Sequence, residues 1–293
     1  MIIADQTKSD SGPTLTALMP VRAHHEGFLH EAVGSLQSQT MPNWRLLVIV
    51  EKSDRAELER TLSRHLADSR VELIVNEGSK LAGAFNTGMR RAWTEFVAIL
   101  LGDDLWSPDT VAVLSKSIGA QPEVDFFHSS RRIVDEAGRP ISSIHRSRPD
   151  VTLEDFGATG SPVKHLLCWR REKGLEIGGM DESLDSVGVD DLDFPWSMAE
   201  GGASFQAIPD CLYIYRDHRE CFRLTTHLPR DHHKREIARI LRKHGVDNSA
   251  IVSQIAEAEQ AYLRQCLYRS RVDRWLKRMI RRNARSGWRD SYR

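Results

Sequence analysis

The sequence predicts an α/β domain on a mostly parallel, doubly wound central sheet, followed by a helical C-terminal extension. Apolar runs of strand length recur through the first two-thirds of the chain, at 14–21, 44–50, 71–75 and 96–101. Segments with helical spacing lie between them, and such alternation with short connections gives parallel strands crossed by helices. The fourth run, FVAILL, ends in two adjacent carboxylates, Asp103 and Asp104. They would sit at the carboxyl end of a central strand, where open α/β sheets bind their ligands.

Each element has a local reason. TLTALMPV (14–21) reads as the first strand, and EGFLHEAVGSLQSQT (26–40) as a helix with Phe28, Leu29, Ala32, Val33 and Leu36 on one stripe. WRLLVIV (44–50) is a second buried strand, RAELERTLSRHLA (55–67) a helix and VELIV (71–75) a third strand. LAGAFNTGMRRAW (81–93) fits a helix; Gly83 and Gly88 in it, like Gly34 earlier, weaken helical propensity but would allow close packing on the sheet. Phe96–Leu101 is too short and too continuously apolar for a surface helix and reads as a strand buried on both faces. Ser107 and Pro108 suit the cap and first residue of the helix that follows. After residue 120, DFFHSSRRIVDEAGRPIS suggests a strand, a turn at 136–138 and another strand, while 145–165 reads as a long loop. Residues 229–293 are helical in pattern. The expected organisation is therefore a loose leader at 1–13, a catalytic α/β domain at 14–228 and a helical extension at 229–293.

With 40% hydrophobic and 28% charged residues the chain has an ordinary globular composition. Its four cysteines show no ligand spacing, which argues against zinc and for reduced thiols. The N-terminal stretch lacks the basic start and apolar core of a secretory signal, and no apolar run is long enough to span a bilayer. A cytoplasmic location is the expectation. The zero net charge hides an asymmetry. Residues 264–293 hold eleven Lys and Arg against two Asp, a net of +9, which leaves −9 on the rest. Within that tail Tyr268, Val272, Trp275, Leu276, Met279 and Ile280 recur at helical spacing among basic residues. Such a helix suits an anionic membrane surface, and equally an acidic partner or the acidic body of its own chain. Nucleic acid is not an expected partner.

Two carboxylates in one loop repel each other unless a cation intervenes. A divalent ion bridging to a diphosphate supplies that charge, and oxygen-rich ligation suits Mg²⁺ or Mn²⁺. The plainer alternative is that Gly102-Asp103-Asp104 is a polar turn before a helix.

PVRAHHEGFLHEAVGSLQSQTMPNWRLLVIV, GSKLAGAFNTGMRRAWTEFVAILLGDD and IGGMDESLDSVGVDDLDF, in that order, resemble the family 2 glycosyltransferases of GT-A fold. The likeness runs from about Leu15 to His218. It implies a metal-dependent, inverting transfer of one sugar from a nucleoside-diphosphate sugar, most plausibly a UDP-sugar, to an unidentified acceptor such as a glycan or lipid-linked glycan. With no QxxRW-like run, single addition is expected rather than processive synthesis. The resemblance puts Pro20, Val21 and Arg22 beside the nucleotide and makes Glu51 a candidate base contact. It puts Asn86 near the diphosphate, although Phe85 stands where an arginine is common; Lys52, Lys80 and Arg22 are possible substitutes. Asp103 falls on the metal-ligating position, with Asp104 behind it or capping the next helix. The family's first aspartate of the acidic motif is replaced by Leu101. Asp191 would be the catalytic base and Asp190 its neighbour, each raising the other's pKa. His218 would complete the metal shell. Those departures leave a competing expectation, a catalytically silent module that binds sugar nucleotides or recruits partners.

Overall fold

The computed structural model describes residues 12, 14–22, 24–159, 161–184, 187–218, 230–247, 249–253 and 255–257. The chain divides into two compact units, residues 1–221 and 222–293. In the first, β1 (Leu15–Val21), α1 (Glu26–Gln37), β2 (Trp44–Val50), α2 (Arg55–Thr61), α3 (Ser63–Leu66) and β3 (Val71–Val75) alternate as expected. Next come α4 (Lys80–Arg91), β4 (Phe96–Ile99), a short β5 (Leu105–Trp106), α5 (Thr110–Ala120) and β6 (Phe126–Val134). The unit closes with α6 (Leu153–Thr159), β7 (Leu167–Arg170), α7 (Arg171–Glu176), α8 (Phe194–Glu200) and β8 (Phe205–Arg216). The second unit contains α9 (Arg230–Lys243). The basic tail at 264–293 lies outside the described residues, as does the leader except residue 12.

One sheet of eight strands runs in the order β3-β2-β1-β4-β7-β6-β8-β5. The β3-β2-β1-β4 half is parallel, and β1 and β2 pair residue for residue from Leu15 opposite Trp44 to Val21 opposite Val50. Strands β1, β2 and β4 are almost wholly buried on both faces, which is why they read as apolar runs, while β3 at the sheet edge leaves Glu72 exposed. The other half is mixed: β7 is antiparallel to β4 and β6, β8 is parallel to β6, and β5 is antiparallel to β8.

Several boundaries move, each for a physical reason. The strand expected at 96–101 ends at Ile99, although Leu100 stays buried and its N–H still bonds the Leu18 carbonyl at 3.1 Å. Ser107 and Pro108 do not open the next helix; Asp109 is its N-cap. Leu105 and Trp106 pair with Ile214 and Tyr213, and Ser107 continues that attachment, its N–H bonding the Leu212 carbonyl and its hydroxyl the Cys211 carbonyl. The second strand expected after the 136–138 turn is reduced to isolated bridges, Val134 to Pro140 and Arg131 to His145. The loop expected at 145–165 contains α6. The helix expected at 55–67 is broken into α2 and α3 at Leu62.

The helical glycines divide. A Cβ on Gly88 would lie 2.9 Å from Leu18 Cδ2, and one on Gly83 2.6 Å from the Gly78 carbonyl carbon, so α4 needs both to approach its neighbours. A Cβ on Gly34 would meet nothing within 4 Å, so α1 does not need that glycine.

Candidate active site

The acidic loop after β4 is held by β8. Asp104 is buried; its carboxylate accepts the Arg216 backbone N–H at 2.7 Å and the Tyr213 hydroxyl at 2.8 Å. Burial, with Asp103 alongside, pushes the Asp104 carboxyl well above its ordinary range, and those two donors and Arg131 oppose the shift. The Arg216 side chain, itself buried, donates from Nε to the Asp103 carbonyl at 3.0 Å and from Nη1 to the Glu136 carbonyl at 3.2 Å, pairs with Glu31 and lies over the Phe28 ring. Asp104 therefore anchors the loop, and Asp103 is left half-exposed.

Asp103 Oδ2 lies 3.2 Å from His218 Nε2, although 115 positions separate the two residues. His218 is buried against the edge of Phe28, and its Nδ1 has no hydrogen-bond partner. A carboxylate oxygen beside an imidazole nitrogen is a donor pair that suits Mn²⁺ or Mg²⁺. Among the described residues no group of three or more His, Cys, Asp or Glu side chains is arranged as a metal cage. A cation at this pair would take its remaining ligands from substrate oxygens and water.

Pro20 and Val21 end β1 beside Ile49 and Val50, and Glu51 follows directly, so these residues share the carboxyl edge of the sheet. Glu51 accepts from the Asn76 amide at 2.9 Å. Arg22 and Lys80 are exposed, and Lys80 begins α4 with a positive φ of 58°. Asn86 is placed differently from a group facing a diphosphate. Its amide is buried, accepting from the Met180 N–H at 2.8 Å and donating to the Met180 carbonyl at 2.9 Å and to Glu182 at 3.0 Å. Glu182 also accepts the Ser79 N–H at 2.9 Å, so these residues tie α4 to the GGMDE segment. Phe85 is fully buried.

Gly188, with φ of 67°, leads into a single π-helical turn at Val189–Asp193, and Pro195 lies in the first turn of α8. Asp190 Oδ2 lies 3.2 Å from His165 Nε2. Asp191 is half-buried and makes no side-chain hydrogen bond among the described residues. Burial first, and then Asp190, raise its carboxyl above the ordinary range, against His165, Arg131 and Lys164. A raised carboxyl is a stronger base than an ordinary one once ionised, the direction a general base requires. Arg131 acts electrostatically on both Asp104 and Asp191, lowering the pKa of each. Arg131, Lys164, His165, Tyr213 and Arg216 were not singled out from sequence. Arg131 lies in the strand expected after residue 120, Lys164 and His165 in the loop expected at 145–165, and Tyr213 and Arg216 on the segment leading to His218.

This sheet order and these acids at its carboxyl edge define a GT-A domain. The chain belongs to glycosyl transferase family 2, whose model matches residues 16–174, more than half of its length. The match ends before Asp190, Asp191 and His218. Among curated proteins the chain is similar to the O-antigen biosynthesis protein RfbC of Myxococcus xanthus, 29% identical over 212 residues. That alignment covers 70% of this chain but only 16% of RfbC. Among solved structures it resembles S. aureus TarS 1-349 in complex with UDP-GlcNAc, at a TM-score of 0.61 and 16% identity over 88% of this chain and 74% of that one. It also resembles the mannosyltransferase PcManGT from Pyrobaculum calidifontis in complex with GDP-Man and Mn²⁺, at a TM-score of 0.56 and 18% identity over 95% and 81% of the two chains.

Proposed function

We propose that this chain is an inverting glycosyltransferase that moves one sugar from a nucleoside-diphosphate sugar, with UDP the favoured nucleotide, to an acceptor hydroxyl in polysaccharide assembly. The observation that carries the reading is the meeting of Asp103 and His218 at 3.2 Å, at a loop that Asp104 anchors, in a family 2 chain. The UDP-GlcNAc of TarS and the GDP-Man and Mn²⁺ of PcManGT support a sugar-nucleotide donor and a divalent ion.

In this reading Pro20, Val21 and Glu51 line the nucleotide end, with Arg22 and Lys80 at its rim. Asp103 and His218 hold Mn²⁺ or Mg²⁺, which when bound offsets the charge growing on the departing diphosphate. Asp191 takes the proton of the acceptor hydroxyl. The acceptor oxygen then bonds to the anomeric carbon as that carbon's bond to the diphosphate oxygen breaks, and the configuration inverts. Asp190, held by His165, stands beside the base. Asn86 supports this arrangement by fixing α4 to the segment that leads to Asp191.

Among the described residues no helix is long and apolar enough to cross a membrane. A peripheral position at the inner face of a membrane, through the basic tail, belongs to this proposal.

The test is a thermal-shift panel of UDP-, dTDP- and GDP-sugars with and without Mn²⁺, run on the native chain and on Asp103→Ala, with release of nucleotide followed in parallel. The expected result is a metal-dependent stabilisation by one nucleotide that the variant loses, with turnover. Binding without turnover under any acceptor mixture would support the silent module, and no shift with any donor would overturn the reading.

A further inference from the structure

Facing Asp191 is a group of cations that transfer chemistry alone does not call for. Strand β6 carries His128 and Arg131, and its pairing with β8 shifts register at Ser129/Ser130 and again at Ser130/Arg131, so that Ser129 pairs with Ile208 but Arg131 with Tyr213. Such irregularities re-aim side chains. A pair of backbone hydrogen bonds, 2.9 Å and 2.8 Å, joins Arg131 to His145 in the 140–150 segment. Lys164 approaches from the segment before β7, its ammonium making one long bond, 3.5 Å, to the Ser161 carbonyl.

Apart from the Tyr215 ring, 5.5 Å from the Arg131 guanidinium carbon, these side chains lack the partners that buried polar groups require. Arg131 Nε is buried with no hydrogen-bond partner, and both ring nitrogens of His128 and Nδ1 of His165 are in the same state. His128 is completely buried. Among the described residues no ion pair joins Arg131 or Lys164 to a carboxylate, although both act on Asp191 from a distance and on each other. Burial, and then repulsion from Arg131, hold the Lys164 ammonium below its ordinary range. Arg131 pairs across the sheet with Tyr213, whose ring lies 5.4 Å from that of His165, the residue after Lys164, and His165 meets Asp190 beside Asp191 at 3.2 Å. A half-buried guanidinium and ammonium in this neighbourhood without a carboxylate partner leave desolvation uncompensated. An anion seated between them would supply what is missing, and a planar guanidinium is well matched to a phosphate or a carboxylate.

We propose that Arg131 and Lys164, with His145 at the outer edge, form an anion-binding subsite on the acceptor side of Asp191, and that the acceptor carries a phosphate or carboxylate group close to the hydroxyl that receives the sugar. This subsite rests on the assignment of Asp191 as the base. With it, the 140–165 region serves to bring an anionic acceptor to that base. Such an acceptor would be either a phosphorylated or diphosphate-linked glycan or an acidic sugar.

The test uses the full chain saturated with UDP and Mg²⁺, titrated by calorimetry with inorganic phosphate and, separately, with glucuronate. One anion should bind, at least tenfold more weakly in Arg131→Gln and in Lys164→Gln, while Arg131→Lys and the exposed Lys116→Gln stay within threefold of the native chain. UDP affinity and the melting temperature should be retained throughout. Tighter phosphate binding names a phosphorylated acceptor, and tighter glucuronate binding an acidic sugar. If neither anion binds the UDP-loaded chain, or both variants bind as the native chain does, the subsite is overturned and the sugar-nucleotide reading stands. If UDP itself fails to bind, that reading falls, and the same titrations without UDP decide whether the anion site exists.

Discussion

Asp104 accepts the Arg216 backbone N–H at 2.7 Å, and the Arg216 guanidinium in turn holds the neighbouring Asp103 carbonyl at 3.0 Å. The loop carrying the proposed metal ligand is thus fastened to the last strand of the sheet. Asp104→Ala would strand two buried donors, the Arg216 N–H and the Tyr213 hydroxyl, at roughly 1–3 kcal/mol each. The expected loss is about 3 kcal/mol in urea unfolding, with weakened metal-dependent nucleotide binding; Tyr213→Phe, which removes one bond, should lose about 1 kcal/mol.

Asp191→Asn should abolish sugar transfer, by at least roughly a thousandfold, while leaving donor binding nearly unchanged. Because Asp190 helps to raise the Asp191 carboxyl, neutralising it in Asp190→Asn should lower that pKa. The base must be ionised to act, so the acid limb of the rate profile should move to lower pH. A limb that stays in place would show that Asp190 does not tune the base.

Burial, with Lys164 nearby, pushes the His128 imidazole down from 6.5 to about 4. A lowered histidine favours folding at high pH and opposes it as pH falls, because between about 4 and 6.5 the unfolded chain binds the proton and the folded chain does not. From that shift this one residue should make the domain about 2 kcal/mol less stable at pH 5 than at pH 7. Urea unfolding at the two values should show a smaller difference in His128→Gln.

Gly179 has φ of 80°, and a Cβ there would lie 2.4 Å from Asn86 Oδ1. Gly179→Ala should destabilise by about 3 kcal/mol, through strain and the broken contact between α4 and the GGMDE segment. Gly34→Ala, in the open interior of α1, should instead stabilise by roughly 0.5–1 kcal/mol. Thermal unfolding of the two variants side by side should give shifts of opposite sign.

The parallel half of the sheet was legible because β1, β2 and β4 are buried on both faces and its helices carry one apolar stripe; Leu15–Val21 and Trp44–Val50 fall almost where the apolar runs do. The acidic residues were legible as a pattern of types in order along the chain. What the pattern did not show was where neighbours at long sequence separation put their hydrogen bonds. Asn86 has the right identity and position to face a diphosphate, yet Met180 and Glu182, 94 and 96 positions away, occupy its amide. Ser107 looks like a cap, and β8 claims it first. Arg131 looked like one arginine in a polar strand. Its place in the proposed subsite shows only in the register shifts between β6 and β8 and in its orphaned Nε.

Strand β8 also limits how this site can change over evolutionary time. Tyr213, Arg216 and His218, the partners of Asp104 and Asp103, are carried within six consecutive residues. Side chains alternate along a strand, so one inserted or deleted residue in that stretch would turn hydroxyl, backbone donor and imidazole away from the acids together. Lineages of this domain are thus expected to vary in length before Phe205 and to keep a fixed count from Leu212 to His218, a constraint visible as an indel-free block even where the residues themselves diverge.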